Sequence, residues 1–548
     1  MKAAHLDPTV ALASEQSNRE SPMKLLLRST SVVALALGMA GCETPIPQVL
    51  GPQHVPSNFT APMAQGAPVW PSANWWARFG STEMTGLITT AQTGNLDLAA
   101  AAARVLQAQA QSEISGSALF PSLSLQGSAQ RSRNGAGQII VDPVTGQPTG
   151  TKAATGNAFG LTLDASYQLD LWGKARANLR AADQLILAST YAQQVVALTV
   201  TANVANTYLD VLALRERLTI AHQNVDAARR VLAIVQAKVT NGVSSRLDLA
   251  QQQAQLAAIE ATIPALQEQE REARYALAIL LGRLPEGFDV TGTNLDGVVT
   301  PVVAPGLPSE LLRRRPDVAQ AEANLASAHG NVDAARAAFF PQIGLTGSGG
   351  FTGAKLASLF TNGGFGWSIG ASLLQTIFDG GLLEGQFALS KAQQQELVAT
   401  YQSTVLNAFS DVETTLGQVS SLADQERLRT EQTNAAAEAF RISELQYREG
   451  VTDLLNVLTA QQVLFSAQDT LVQIKLARLQ ANIGLYQALG GGWSEAADAA
   501  TQALPAQTTP VTAGPAAPPP PSATPVPATP KPIAIPGSQS ATPPPPRH

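Results

Sequence analysis

The chain has 548 residues, a formal net charge of −6 and only 14% charged side chains. That balance excludes the basic patch of a nucleic-acid binder. One Cys and five His exclude an intrachain disulfide and leave little material for a metal cluster.

The segment "MKLLLRSTSVVALALGMAGC", Met23 to Cys42, carries Lys24 and Arg28, then the apolar run Val32–Met39, then Ala40-Gly41 before the lone Cys42. It reads as a bacterial secretory signal. Its ending resembles a lipobox, which makes Cys42 the candidate lipidated first residue. Residues 1–41 are therefore assigned to the signal, with 1–22 as an over-extended start. Residues 42–69 form a Pro-rich leader. Residues 496–548, with "PAAPPPPSATPVPATPKPIAIP", cannot bury enough apolar surface to offset ordering entropy and read as a disordered tail. No other stretch is expected to approach the roughly 20 apolar residues of a membrane helix. Insertion would then need β-structure.

Between these ends the chain is written twice, as 70–300 and 301–495. "NLDLAAAAARVLQAQAQSEISGSALFPSLSLQGS" aligns with "RPDVAQAEANLASAHGNVDAARAAFFPQIGLTGS". Asp97, Phe120, Pro121 and Ser128 meet Asp317, Phe340, Pro341 and Ser348, each pair 220 positions apart. Gly242-Val243 meets Gly450-Val451, and Leu281-Gly282 meets Leu489-Gly490, each pair 208 positions apart. The change of 12 places extra residues in the first copy between these regions.

Each copy predicts an Ala-rich helix ended by Phe-Pro, then alternating strands. Leu123, Leu125, Gly127 and Ala129 alternate with Ser122, Ser124, Gln126 and Ser128. "FGLTLDASYQLDLWG" alternates again, as do Ile343 and Leu345, then Trp367, Ile369, Ala371 and Leu373. Four strands of about ten residues fit the length of a transmembrane strand, or equally a soluble hairpin. A long helix follows in each copy. From about Lys174 to Thr240 no Pro intervenes, which predicts a helix on the order of 100 Å long. Gly242 supplies the bend, and one helix runs back to Leu281. In the second copy Leu455, Leu458, Gln462, Phe465, Asp469, Val472, Leu476, Leu479, Ile483 and Tyr486 give a 3-4 seam.

Four strands cannot close a membrane barrel, and open edges do not occur in lipid. Several chains must share one barrel, with the long helices leaving it together. Phe120, Trp172, Phe340, Trp367 and Phe378 near strand ends suit an interfacial girdle or ordinary packing. Arg315, Pro316 and Asp317 read as a helix start with a structural cap and equatorial salt links. Glu444, Arg448, Glu449 and Asp453, near the second bend, are gate candidates or a solvated face. The sequence offers no catalytic triad order, no paired acids with a base and no phosphate loop. The expectation is a non-enzyme without cofactor or metal, driven by a partner.

Taken together, "NWWARFG" (Asn74–Gly80), "YQLDLWGKAR" (Tyr167–Arg176), "NGVSSRLDLAQ" (Asn241–Gln251), "LPSELLRRRPDVAQAEANL" (Leu307–Leu325), "IFDGG" (Ile377–Gly381) and "LYQALGGGW" (Leu485–Trp493) resemble the outer-membrane efflux proteins, the TolC-type channel subunits of tripartite pumps, in their lipoprotein branch. Thr376 departs from the usual Pro before Ile-Phe-Asp-Gly-Gly. The resemblance implies a mostly α fold with a shared 12-stranded barrel in a homotrimer, continued by a long periplasmic helical barrel. It implies a lipid-anchored outer-membrane location and a passive exit duct for small molecules. Its partners would be outer-membrane lipid, a periplasmic adaptor protein and an inner-membrane pump of RND type. The bends at Gly242, Val243, Gly450 and Val451 would be adaptor-contacting tips that close the duct at rest. A channel for metal ions or polypeptide, a substrate-specific porin and a structural periplasmic coiled-coil lipoprotein are the alternatives.

Overall fold

The computed structural model describes residues 59–61, 70–303, 306, 308–361 and 363–493, with backbone alone at 134–141 and 149–154. Cys42, the signal, almost all of the leader and the Pro-rich tail lie outside the described residues. A 3-10 turn at Trp75–Phe79 precedes α1 (Thr82–Gly94), whose first turn is capped by Ser81 accepting the Met84 amide. Asn95 caps α2 (Leu96–Ser117) by accepting the amides of Asp97 and Leu98. Strands β1 (Ser122–Val141) and β2 (Pro148–Leu169) follow, then α3 (Lys174–Thr240), α4 (Arg246–Glu260) and α5 (Thr262–Leu280). The second copy repeats the order: a short turn α6 (Pro308–Leu311), α7 (Pro316–Ala337), β3 (Gln342–Gly353), β4 (Phe365–Leu374), α8 (Leu382–Glu449) and α9 (Leu454–Ala488).

The duplication holds residue by residue in these elements. Leu96 and Pro316 start α2 and α7, 220 positions apart, and so do Ser122 and Gln342 for β1 and β3. Lys174 and Leu382 start the long helices 208 positions apart, and Leu280 and Ala488 end the return runs at the same offset. The excess of the first copy falls in its hairpin. β1 and β2 have 20 and 22 residues, against 12 and 10 for β3 and β4, so the expectation of four strands near ten residues is corrected for the first pair. The added part is rich in Gly, Ala, Ser and Thr and has no apolar alternation to betray it.

All pairings are antiparallel, in the order β1-β2-β3-β4. The register puts like with like. Leu125 faces Leu163, Leu123 faces Ala165, Leu169 faces Ile343 and Ile343 faces Leu373. On the other face Ser124 meets Asp164, Asp164 meets Ser348, and Ser348 meets Ser368.

The helices α3 and α8, of 67 and 68 residues, reach on the order of 100 Å. α3 packs along α7, α2, α5 and α9, while α8 packs on α9 and α7. The main core lies midway along α3, where Trp75, Phe79, Met84, Tyr208, Leu209, Leu277, Ile483 and Tyr486 are buried together. The Trp75 and Tyr486 rings stack at 5.0 Å. A second cluster near the bends joins Val231, Val235, Phe440, Tyr447, Leu454, Val457 and Leu464.

Three further expectations are corrected. The first return run is two helices, because Pro264 lacks the N–H that would bond Glu260 and its ring crowds that carbonyl; α4 stops at Glu260 and α5 starts at Thr262. The second return run, without Pro, is the single 35-residue α9. The buried seam near the second bend is Leu454, Val457, Gln461 and Leu464, one position before the expected Leu455, Leu458, Gln462 and Phe465, with Leu455 64% exposed. Both spacings are 3-4, and a single chain buries only the face turned to its own hairpin. Finally, α3 contains a stretch long and apolar enough to cross a membrane by length and composition, 22% of it buried.

Candidate functional site

The sheet is amphipathic in an unusual sense for one chain: its apolar face is bare. Leu123, Leu125, Trp367, Ile369 and Leu373 are all more than two-thirds exposed. The opposite face is small and polar. Its hydroxyls pair across strands, with Ser122 Oγ 2.7 Å from Ser166 Oγ and Ser348 Oγ 2.8 Å from Ser368 Oγ. A sheet with one apolar face, one polar face and free edges at β1 and β4 has the form that part of a membrane barrel wall would take.

At the helix-side rim Trp172 stacks on Phe340 at 4.9 Å and donates its indole N–H to the Pro341 carbonyl at 2.7 Å. Phe120, Phe340, Trp367 and Phe378 remain exposed. Two acids turn the strands into helices. Asp170 accepts the amides of Ala175 and Arg176 beside Gly173 at φ +79°. Asp379 accepts those of Gly381, Leu382 and Leu383.

The far ends of the long helices are built alike. The Val243 amide donates to the Lys238 carbonyl and the Val451 amide to the Gln446 carbonyl, both at 2.8 Å. Gly242 (φ +71°) and Gly450 (φ +80°) supply the left-handed residue this closure needs. Val243 and Val451, beside them, are 72% and 74% exposed. Ser245 and Asp248 form a reciprocal cap on α4, whereas Asp453 alone caps α9 by accepting the Asn456 amide.

The tips also touch each other through Tyr447 and Ser244, a contact that no sequence motif marks. Tyr447 is buried, its hydroxyl 3.5 Å from Ser244 Oγ, and Ser244 donates to Asp248 at 2.6 Å. Lys238 Nζ sits 4.9 Å above the Tyr447 ring. The Ser244 hydroxyl and the Ser245 amide hold the Asp248 carboxyl below its usual pKa. The one signal available was a lone tyrosine three residues before a helix-ending Gly. The four gate candidates are not drawn into one network. Arg448 pairs with the adjacent Glu449 at 3.3 Å, both exposed; Asp453 is a cap; Glu444 forms no ion pair among the described residues.

Arg315, Pro316 and Asp317 sit at the start of α7, with Pro316 in the first turn. Asp317 stands in that first turn, and the Arg315 side chain itself makes no cap bond. It instead spans Asp317, Asp411 and the Ala488 carbonyl. Burial works against its charge, but bonding to Asp317 and pairing with Asp411 outweigh it, so its pKa sits above the usual value.

A family model described as outer membrane efflux protein matches residues 87–283 and 307–491. The chain is 38% identical over 472 residues to the pyoverdine export outer membrane protein OpmQ of Pseudomonas aeruginosa, covering 85% of this chain and 97% of that one. It is 30% identical over 481 residues to the cation efflux system protein CusC of Escherichia coli, covering 87% and 100%. The structure of the outer-membrane channel OprN is similar with a TM-score of 0.72 at 27% identity, over 81% of this chain and 99% of that chain.

Proposed function

The chain belongs to the outer membrane efflux protein family, and we propose that it works as the passive exit duct of a tripartite pump, with three copies closing one barrel. It is an outer-membrane channel subunit of TolC-type fold. The observation that carries the trimer is the four-stranded sheet with its bare apolar face and two free edges. β4 of one copy pairs with β1 of the next, and the serine-rich face lines the lumen. Open strand edges do not occur in lipid, which supports pairing between copies.

On this reading the helices carry the duct across the periplasm to a partner that supplies the energy. The partners are a periplasmic adaptor and an inner-membrane pump of RND type. Val243 and Val451 are exposed apolar residues on rigid Gly-ended tips, which suits contact with an adaptor. Tyr447, with Ser244 and Asp248, ties the two tips together at rest. Glu444, Arg448, Glu449 and Asp453 surround that point as secondary gate candidates. The cargo is a small organic molecule rather than a cation; greater similarity to the pyoverdine exporter than to the cation system supports this. Cys42 anchors the mature chain in lipid, and the two copies, 70–300 and 301–495, act as one unit behind the 42–69 leader.

Gly450→Val tests the tip assignment. No atom crowds a Cβ there, so the change acts through the left-handed φ alone. Trimer abundance should stay normal while export falls severalfold. If trimer yield falls in step with export, the bend is only structural. Cys42→Ala should abolish incorporation of labelled palmitate; persisting label contradicts the anchor.

A further inference from the structure

The extra length of the first hairpin has a chemical character of its own. The apolar positions of β1 are Leu123, Leu125, Gly127 and Ala129, and the same face continues to Arg131 and Arg133. No register shift intervenes, since the first lies beyond Asn134. Across from them stand Asn157 and Thr155, which are polar and uncharged. Both arginines are exposed, and neither forms an ion pair among the described residues.

Their depth follows from strand geometry. Leu123 to Arg131 is eight residues and Leu123 to Arg133 is ten, about 26 and 33 Å along the strand. At a tilt near 40° these become about 20 and 25 Å along the barrel axis, the height of the outward apolar band of such barrels. The arginines therefore sit at its outer limit, opposite the rim marked by Phe120, Trp172 and Phe340. β4 has ten residues and β1 has 20, so a neighbouring β4 covers at most half of that edge.

The charge around them is one-sided. Residues 127–160 and 350–366 hold Arg131, Arg133, Lys152 and Lys355 against one acid, Asp142, in a chain whose net charge is −6. Asp142 is occupied in the turn, accepting the Val144 and Thr145 amides at 2.8 and 3.3 Å. Asp164 is on the opposite face of the sheet, paired in register with Ser124 and Ser348. Lys355 lies just past the end of β3, where the chain turns into a short 3-10 segment, and is not part of the ladder.

We infer that Arg131 and Arg133 form a binding site for the phosphate groups of phosphorylated glycolipid in the outer leaflet. Guanidinium forks match phosphate oxygens bidentately, and they stand where the lipid-facing surface of the sheet meets headgroups. The site is continuous with the lipid face and fixes the depth of the barrel. This inference rests on the reading of the sheet as a membrane wall.

The test uses the full-length detergent-extracted protein and native mass spectrometry. The probes are bis-phosphorylated lipid A and the same lipid stripped of its phosphates. The wild-type chain should retain the phosphorylated form about thirtyfold more tightly, in line with roughly 1 kcal/mol for each of the two arginines at an anionic surface. Arg131→Gln with Arg133→Gln should erase that preference, and Arg131→Lys with Arg133→Lys should restore part of it. Equal retention of both lipids by the wild type, or an unchanged preference in the glutamine variant, overturns the site. Flotation with phosphatidylethanolamine vesicles tests the underlying reading separately. A wild-type chain that fails to float overturns the membrane wall and this site with it; one that floats without phosphate preference overturns the site alone.

Discussion

The two copies of the repeat share their joints and differ in their spans. At the joint between first helix and return helix, Asn95 caps α2 and donates Nδ2 to the Leu280 carbonyl at 2.8 Å. The position 220 residues later is Arg315, which opens α7 and donates to the Ala488 carbonyl at 3.1 Å. Two chemically different side chains make the same tie between the same pair of elements. Gly282 and Gly490 repeat the pattern at the next step. Each has positive φ, and a Cβ on either would overlap a carbonyl, that of Gly94 in the first copy and of Arg314 in the second. The spans instead diverge: a doubled hairpin and a broken return run in the first copy, a short hairpin and the unbroken α9 in the second. Even the tips diverge, since Asp248 has Asn456 as its counterpart and Tyr447 has Val239, each 208 positions away. The joints answer a packing need that both copies face. The spans are where the two copies differ, in the length of the hairpin, the continuity of the return run and the contacts at the tips.

Breaking a shared joint should have the largest effect. Gly282→Ala and Gly490→Ala combine a left-handed φ with a backbone clash, together about 2–4 kcal/mol. Both should cut the yield of folded channel sharply, and to a similar degree. A large difference between them would mean that the copies do not share this device. Asn95→Ala removes a cap and the tie to Leu280, at a cost of about 1–2 kcal/mol. It should lower the thermal midpoint without changing conductance.

Changes at the unequal tips should spare folding and alter closure. Tyr447→Phe removes the hydroxyl near Ser244, and resting conductance in planar bilayers should rise while trimer yield holds. Val239→Tyr, the mirror change in the first copy, should leave conductance as it was. The Asp248 carboxyl titrates below its usual range, so its contribution is present above a pH of about 4 and is lost only as pH falls through the lowered value. Closure should therefore be flat from pH 8 to 5; an opening midpoint near pH 6 would point to another group. The smallest effect is expected from Pro264→Ala, which restores the missing N–H. Amide exchange around residues 260–264 should slow, and a rate equal to wild type would mean that Pro264 does not cause the break.

Much of this was legible because the signals were local and repeated. The offsets of 220 and 208, the Phe-Pro stops, the Gly-Val bends and the period-2 runs each come from a short window. Other features needed three dimensions. The outer part of the β1–β2 hairpin carries no apolar alternation in its sequence. The seam of α9 has two candidate faces with the same 3-4 spacing, and only packing chooses Leu454 over Leu455. The Tyr447 contact joins residues 203 positions apart and leaves no pattern in either segment. Pro264 was in plain view, and its effect on the return run follows from its missing N–H.

The central claim is that one chain supplies only a third of a closed wall. Native mass spectrometry of the detergent-extracted protein tests it most directly. The account predicts a single dominant species of three chains. A monomer that persists in detergent would leave the β1 and β4 edges unpaired, a dimer would close only eight strands, and either would contradict it.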